Sequence, residues 1–161
     1  MSTFQGVHLR TASEIDRYLW FGRTTMNVVL GSEDTNGAFA LVDQLGSAND
    51  ATPLHVHHTE DEAFYLLSGS IEVVTGDDHG TMDEGSAVFL PRGLRHAFRV
   101  VSDEARIITV TTPAGFDAFV RGAGLEFRGD RPLQWEFDMG RFMGPAQAAG
   151  IEILGPPPFD H

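Results

Sequence analysis

The chain contains no cysteine. Disulfide scaffolds, thiolate nucleophiles and sulfur-ligated zinc or iron–sulfur centres are excluded at once, and any bound metal must be held by nitrogen and oxygen. Long apolar runs are also missing. No stretch approaches the roughly 18 residues that a membrane-spanning helix needs. The N-terminal segment MSTFQGVHLRTASE lacks the basic head and apolar run of a secretory signal, so a cytoplasmic location is expected. Positive charge is scarce: 11 basic residues stand against 23 acidic ones, for a formal net charge of −12. So acidic a balance argues against nucleic acid, whose phosphates need basic patches, and against anionic membrane surfaces. Internal repeats, low-complexity tracts and interdomain linkers are absent too. At 161 residues the expectation is one domain, 1–161.

What the chain does have is a succession of short runs rich in β-branched and aromatic residues, separated by Gly, Asp, Asn and Ser. Strands are expected over 17–21, 24–30, 39–43, 52–57, 63–67, 71–75, 87–90, 95–100 and 106–111. Turn signals fall at 31–37, 46–50, 68–70, 76–80 and 91–93. Many short strands at this spacing predict an antiparallel sandwich or barrel. The tail, 113–161, differs. Short helices are expected over 116–122 and 138–149, draped on the β body, followed by an extended segment at 155–158 pinned to the surface or to a neighbouring subunit.

The chemistry concentrates around His55-Val56-His57. Side chains two apart on a strand share a face, so both imidazoles point the same way. The acidic turn His58-Thr59-Glu60-Asp61-Glu62 follows, and His96 begins a later strand after Pro91-Arg92-Gly93. If the turn is tight, Glu62 reaches back over the face of the two imidazoles, and His96 completes a cage of three histidines and one glutamate. Such a donor set suits one divalent first-row transition metal: Fe²⁺ first, with Ni²⁺, Mn²⁺, Co²⁺ and Zn²⁺ as alternatives. Four protein ligands leave one or two positions open on the ion, which is the mark of a catalytic site. Glu60 and Asp61 are rivals to Glu62 as the acidic ligand. His58 has the opposite parity and is expected outside, while His8, His79 and His161 are expected in solvent.

The segments TPLHVHHTEDEAFYLLSG and DEGSAVFLPRGLRHAFRV resemble the two conserved motifs of the cupin superfamily. The first has the core His-x-His, four residues, Glu, six residues, Gly, met here by His55, His57, Glu62 and Gly69. The second has Gly, five residues, Pro-x-Gly, two residues, His, met by Gly85, Pro91, Gly93 and His96. Fifteen residues separate the motifs, a short spacer typical of compact microbial members. Two positions depart from the pattern. Asn49 stands where a glycine is expected and can take the same left-handed turn conformation; Val100 replaces a frequent asparagine. The resemblance is specific over 49–100, the expected metal-binding core.

The resemblance implies a double-stranded β-helix, or jelly roll, an all-β fold with short C-terminal helices here. It implies metal ligation by His55, His57, Glu62 and His96, and a homodimer, whose pairing would cover exposed sheet edges. Among metal cupins the chain looks most like small quercetin 2,3-dioxygenase-like proteins. That likeness implies oxidative cleavage of an aromatic or enolic small molecule, with Glu62 both ligand and base. Two alternatives remain: a non-redox, Lewis-acid cyclase, isomerase or decarboxylase, and a non-catalytic small-molecule binder. Alternation places Phe64 and Leu66 on the face of Glu62 and Phe98 on that of His96. One parity of Met26, Val28 and Leu30 and one of Phe39 and Leu41 are expected to complete the wall, favouring an apolar or aromatic substrate over a phosphorylated sugar. Arg92 and Arg95 either meet an anionic group at the cavity mouth or pair with surface acids.

Overall fold

A computed structural model describes residues 7–133, 135, 136 and 138–160. Twelve antiparallel strands among the described residues make two sheets. They are β1 (Asp16–Leu19), β2 (Thr25–Leu30), β3 (Ala40–Ser47), β4 (Leu54–His57), β5 (Asp61–Ser68) and β6 (Ser70–Thr75). The others are β7 (Asp78–Asp83), β8 (Ala87–Leu90), β9 (His96–Val100), β10 (Glu104–Thr112), β11 (Leu125–Phe127) and β12 (Ile151–Gly155). The larger sheet runs β11-β1-β2-β3-β10-β5-β8 and the smaller β12-β4-β9-β6-β7. This is the antiparallel sandwich that the strand spacing implied, in the jelly-roll form that the resemblance implied.

Alternation builds the core between the sheets. On β10 the buried residues are Ala105, Ile107, Thr109 and Thr111, every second one, which turns one pleated face inward. Phe64, Leu66, Ile71, Phe98 and Val100 from β5, β6 and β9 pack against it. The β5–β6 turn needs Gly69: its φ is +81°, and an added Cβ would stand 2.2 Å from the Glu104 carbonyl oxygen. Asn49 does take the left-handed conformation expected of it, at φ 71°.

A second core lies under two helices, α1 (Phe116–Ala123) and α2 (Met139–Ala148). Phe116, Phe119, Val120 and Ala123 follow the i, i+3, i+4, i+7 spacing that puts one apolar stripe on a helix, and all four are buried. The Asp138 carboxylate caps α2 by accepting from the Gly140 N–H at 2.8 Å. Phe142 and Ala146, four apart, turn inward.

Three strands were not expected. β7 lies where a turn was read at 76–80; as an edge strand with only Met82 buried, it has almost no apolar alternation to betray it. β11 is a three-residue edge. β12 matters more, because it pairs with β4 and sets Ile151 opposite His57 and Ile153 opposite His55. The tail is therefore woven into the smaller sheet rather than draped over it. Beyond β12 the chain is pinned to its own surface: Phe159 is buried beneath the Arg99 guanidinium, which also donates to the Asp160 carbonyl at 2.6 Å.

Candidate metal centre

His55 and His57 lie on β4, and His96, first residue of β9, sits directly opposite His55. Glu62 comes from the other sheet. It is the second residue of β5, not the end of a turn, and is held between Thr111 of β10 and Leu90 of β8. Two hydrogen-bonded neighbours fix a carboxylate more firmly than a loop would. The site thus spans the gap between the sheets, three imidazoles from one side and one acid from the other.

The four side chains each offer a ligand atom, and these atoms all lie within 4.8 Å of one another. Glu62 Oε2 stands 2.9 Å from His96 Nε2 and 3.4 Å from His57 Nε2. Ligands at ~2.1 Å from one ion stand roughly 3 Å apart when adjacent and about 4.2 Å when opposite, so sub-ångström movements would close this set on an ion.

The back of each ring is tied. His55 Nδ1 lies 2.7 Å from the Pro53 carbonyl, His96 Nδ1 3.0 Å from the Leu94 carbonyl, and His57 Nδ1 2.8 Å from Glu60 Oε1. Carbonyls and carboxylates only accept, so each Nδ1 must carry the proton and donate it. With each Nδ1 committed behind its ring, Nε2 is the atom that His57 and His96 turn toward the Glu62 carboxylate, 3.4 and 2.9 Å away. Glu60, a rival ligand from its spacing, is instead the group that orients His57 from behind; it is buried in the loop before β5. A carboxylate three residues beyond a candidate His is the signal that could have revealed this role.

The remaining candidates fall outside. His58 is exposed and 2.7 Å from Glu152, His79 is exposed against Glu72, and His8 is exposed 4.0 Å from Asp34. His161 lies outside the described residues. Asp61 accepts from the Arg92 backbone and guanidinium at 2.9 and 3.1 Å, and Arg95 pairs with Asp77 at 2.5 Å. Both arginines serve surface acids rather than the cavity mouth.

Beside the cluster opens a narrow cavity of 40 Å³, room for about three water molecules. Met26, Phe64 and Phe98 line it as expected. Phe39 and Leu41 do not: the inward parity of β3 is Ala40, Val42 and Gln44. Ala40, Leu41 and Val42 are all apolar, so the pattern carries no parity there. The wall is completed by Trp20 and by Phe116, Phe119 and Phe142 from the helices, none of which the sequence placed at the site. Trp20, Phe119 and Phe142 meet edge to face, with centroids 5.1, 5.6 and 4.8 Å apart.

Residues 47–111 match the family model of the cupin domain, and the motif residues inside that span are the ones gathered here. The chain carries a cupin domain over that span. It is 31% identical over 104 residues to quercetin 2,3-dioxygenase of Bacillus subtilis, a match covering 65% of the chain and 31% of that enzyme. The chain thus spans about a third of that relative's length. Among solved structures it resembles the polyketide cyclase RemF from Streptomyces resistomycificus (TM-score 0.58, 24% identity, 66% of this chain and 80% of that one). It also resembles a predicted oxalate decarboxylase from Thermotoga maritima (TM-score 0.60, 19% identity, 66% and 99%). Those two likenesses speak to the fold alone.

Charge in the site follows from burial and from the neighbours. His55 retains contact with the cavity but lies deep; desolvation, with His96 and His57 alongside, pushes it down to about 3, so the ring is neutral at any working pH. Burial alone would lower His57, but the Glu62 carboxylate and the hydrogen bond to Glu60 reverse this and raise it. Burial would raise Glu62, yet the charge of His57 and the hydrogen bond from His96 hold it at about 2. Glu62 is therefore a carboxylate facing imidazole nitrogens, and these become nitrogen and oxygen donors for a cation once the rings give up their Nε2 protons. The cluster could hold a divalent metal, and its binding would displace a proton from His57.

Proposed function

We propose that this protein is a metal-dependent oxygenase of quercetinase-like type, acting on an aromatic or enolic small molecule. The observation that carries the reading is the placement of three Nδ1-tied imidazoles and one ionised glutamate at the inner end of a cavity walled by aromatic rings. The sequence relationship to quercetin 2,3-dioxygenase of Bacillus subtilis supports it. His55, His57, Glu62 and His96 hold the ion, Fe²⁺ first among the divalent candidates. When bound, the ion supplies an open coordination position at which a substrate oxygen and dioxygen can be brought together.

The protein's own groups do the rest. Glu62, kept ionised, accepts the substrate hydroxyl proton at a carboxylate oxygen, a role worth typically 10²–10⁴-fold in rate. Glu60 and the Pro53 and Leu94 carbonyls hold the imidazoles in one tautomer. Phe116, Phe119 and Phe142 exclude water and offer faces to a planar substrate. Pairing of two copies is proposed at the β8 edge of the larger sheet, where Phe89 and Tyr65 are exposed on one outer face; light scattering that finds only monomer would remove it.

The test of the reaction is oxygen uptake. Protein loaded with Fe²⁺, Ni²⁺, Mn²⁺, Co²⁺ or Zn²⁺ is given a flavonol in an oxygen electrode, with His57→Ala and Glu62→Gln beside it. Oxygen consumption matching flavonol loss is expected with at least one redox-active metal, absent in His57→Ala and at least a hundredfold slower in Glu62→Gln. Undiminished turnover under strict anaerobiosis would assign the site to Lewis-acid chemistry instead. Metal content at background in wild type and His57→Ala alike would end the metal reading.

A further inference from the structure

The polar groups lining the cavity are Gln44, Thr52, His55, His57 and Glu62. Four of them are engaged. Thr52 accepts from the Phe98 N–H at 3.0 Å, and the histidines and Glu62 hold one another and their outer partners. Gln44 is different. It is 3% exposed, yet its side-chain amide has no hydrogen-bond partner among the described residues. Met26 lies opposite it on β2, itself apolar and lining the same space. The amide atoms of Gln44 are not among the fully enclosed polar atoms that lack a partner, so they retain contact with the cavity that Gln44 lines, where leucine or methionine would present only apolar surface.

Its position is also informative. Gln44 stands level with Ile107 and Leu66, while Glu62 stands level with Thr111, four residues further along β10. Four residues along a strand and two strand spacings across put the two backbones roughly 16 Å apart on a flat sheet, and less on a curved one. The cavity thus has polar groups at the His/Glu cluster and a second polar point at Gln44, well separated along β10, with aromatic rings among its other walls. We infer that Gln44 is a specificity-determining residue that hydrogen-bonds a hydroxyl or carbonyl on the part of the substrate remote from the metal. The substrate is accordingly an elongated, largely planar and apolar molecule with polar groups at both ends. The amide offers both kinds of partner: its oxygen accepts from a hydroxyl, and its nitrogen donates to an oxygen. The inference rests on the proposed function for the metal-binding end and on Gln44 alone for the other.

Two flavonols that differ by one hydroxyl on the outer ring, kaempferol and galangin, test it by calorimetry on Zn²⁺-loaded protein, where no oxidation competes. Wild type is expected to bind kaempferol about tenfold more tightly than galangin, since one hydrogen bond in a dry site is worth about that factor. Gln44→Leu should bring the two within twofold of each other without changing zinc content; Gln44→Met, closer in volume, serves if the leucine variant fails to fold. Equal preference in wild type and variant, or no binding of either flavonol, overturns the inference. So does a melting temperature for both variants well below wild type, which would make Gln44 a structural group. Wild-type binding of both flavonols that survives removal of the metal refutes the metal-centred reading and leaves the Gln44 comparison standing.

Discussion

Replacing Glu60 by glutamine removes one charge behind His57 while leaving its volume in place. In the native site Glu60 Oε1 lies 2.8 Å from His57 Nδ1, with both side chains almost fully buried. A carboxylate can only accept, so it fixes the proton on Nδ1 and leaves Nε2 bare for the ion. A glutamine amide can accept or donate. It permits the opposite tautomer, whose Nε2–H faces the cluster and cannot ligate. The charge-assisted hydrogen bond, about twice as strong as a neutral one, is lost as well. Partners of this kind are worth a factor of about 10–100 in metal affinity, or roughly 1.4–2.8 kcal/mol. Competition with a chelator of known strength measures it directly. Glu60→Gln should retain metal at saturating concentration but release it to a chelator at a 10–100-fold lower chelator concentration than wild type does. His57→Ala, lacking a ligand outright, should not load at all. Affinity within twofold of wild type would show that the tautomer is set by something else, and complete loss would show that Glu60 is itself a ligand.

Two further outcomes concern the scaffold. Phe119 is buried at 4% exposure between Trp20 and Phe142, so Phe119→Ala should cost roughly 3–5 kcal/mol in urea unfolding; a loss under 1 kcal/mol would mean the helices do not hold the cavity wall. Asp16 meets Arg121 at 2.7 Å and Arg10 at 3.1 Å. Burial works against its ionised form, but those two hydrogen bonds prevail and hold its carboxyl below the ordinary aspartate value. A depressed folded value gives stability that is present above the unfolded value and lost as pH falls through the folded one. Asp16→Asn should therefore lower the melting temperature at pH 7, with the gap to wild type beginning to close below about pH 4; a gap that does not shrink as the pH falls below that point would contradict the assignment.

Much of the ligand set was legible because it is local or periodic. His55 and His57 share a face by strand parity alone, and Asn49 takes the turn conformation its side chain tolerates. The glycine at 69 and the motif spacing located Glu62 and His96 before any strand was paired. Parity failed on β3, where apolar residues on both faces left Gln44 unremarked. β7 failed for the opposite reason, its edge position demanding almost no apolar residue. The motif spacing favours Glu62 over its rival Glu60, but nothing in it gives Glu60 the orienting role, since ligand and orienting partner are the same residue type two positions apart.

Composition, spacing and the motif resemblance therefore pointed to an acidic, cysteine-free all-β chain whose nitrogen and oxygen donors could hold a metal. Only the folded chain decided what surrounds those donors. The aromatic helices, β12 beside β4 and the solitary amide of Gln44 reach the cavity from segments far apart in the chain. Their contacts follow from how sheets and helices pack, a long-range outcome that no short window of residues encodes.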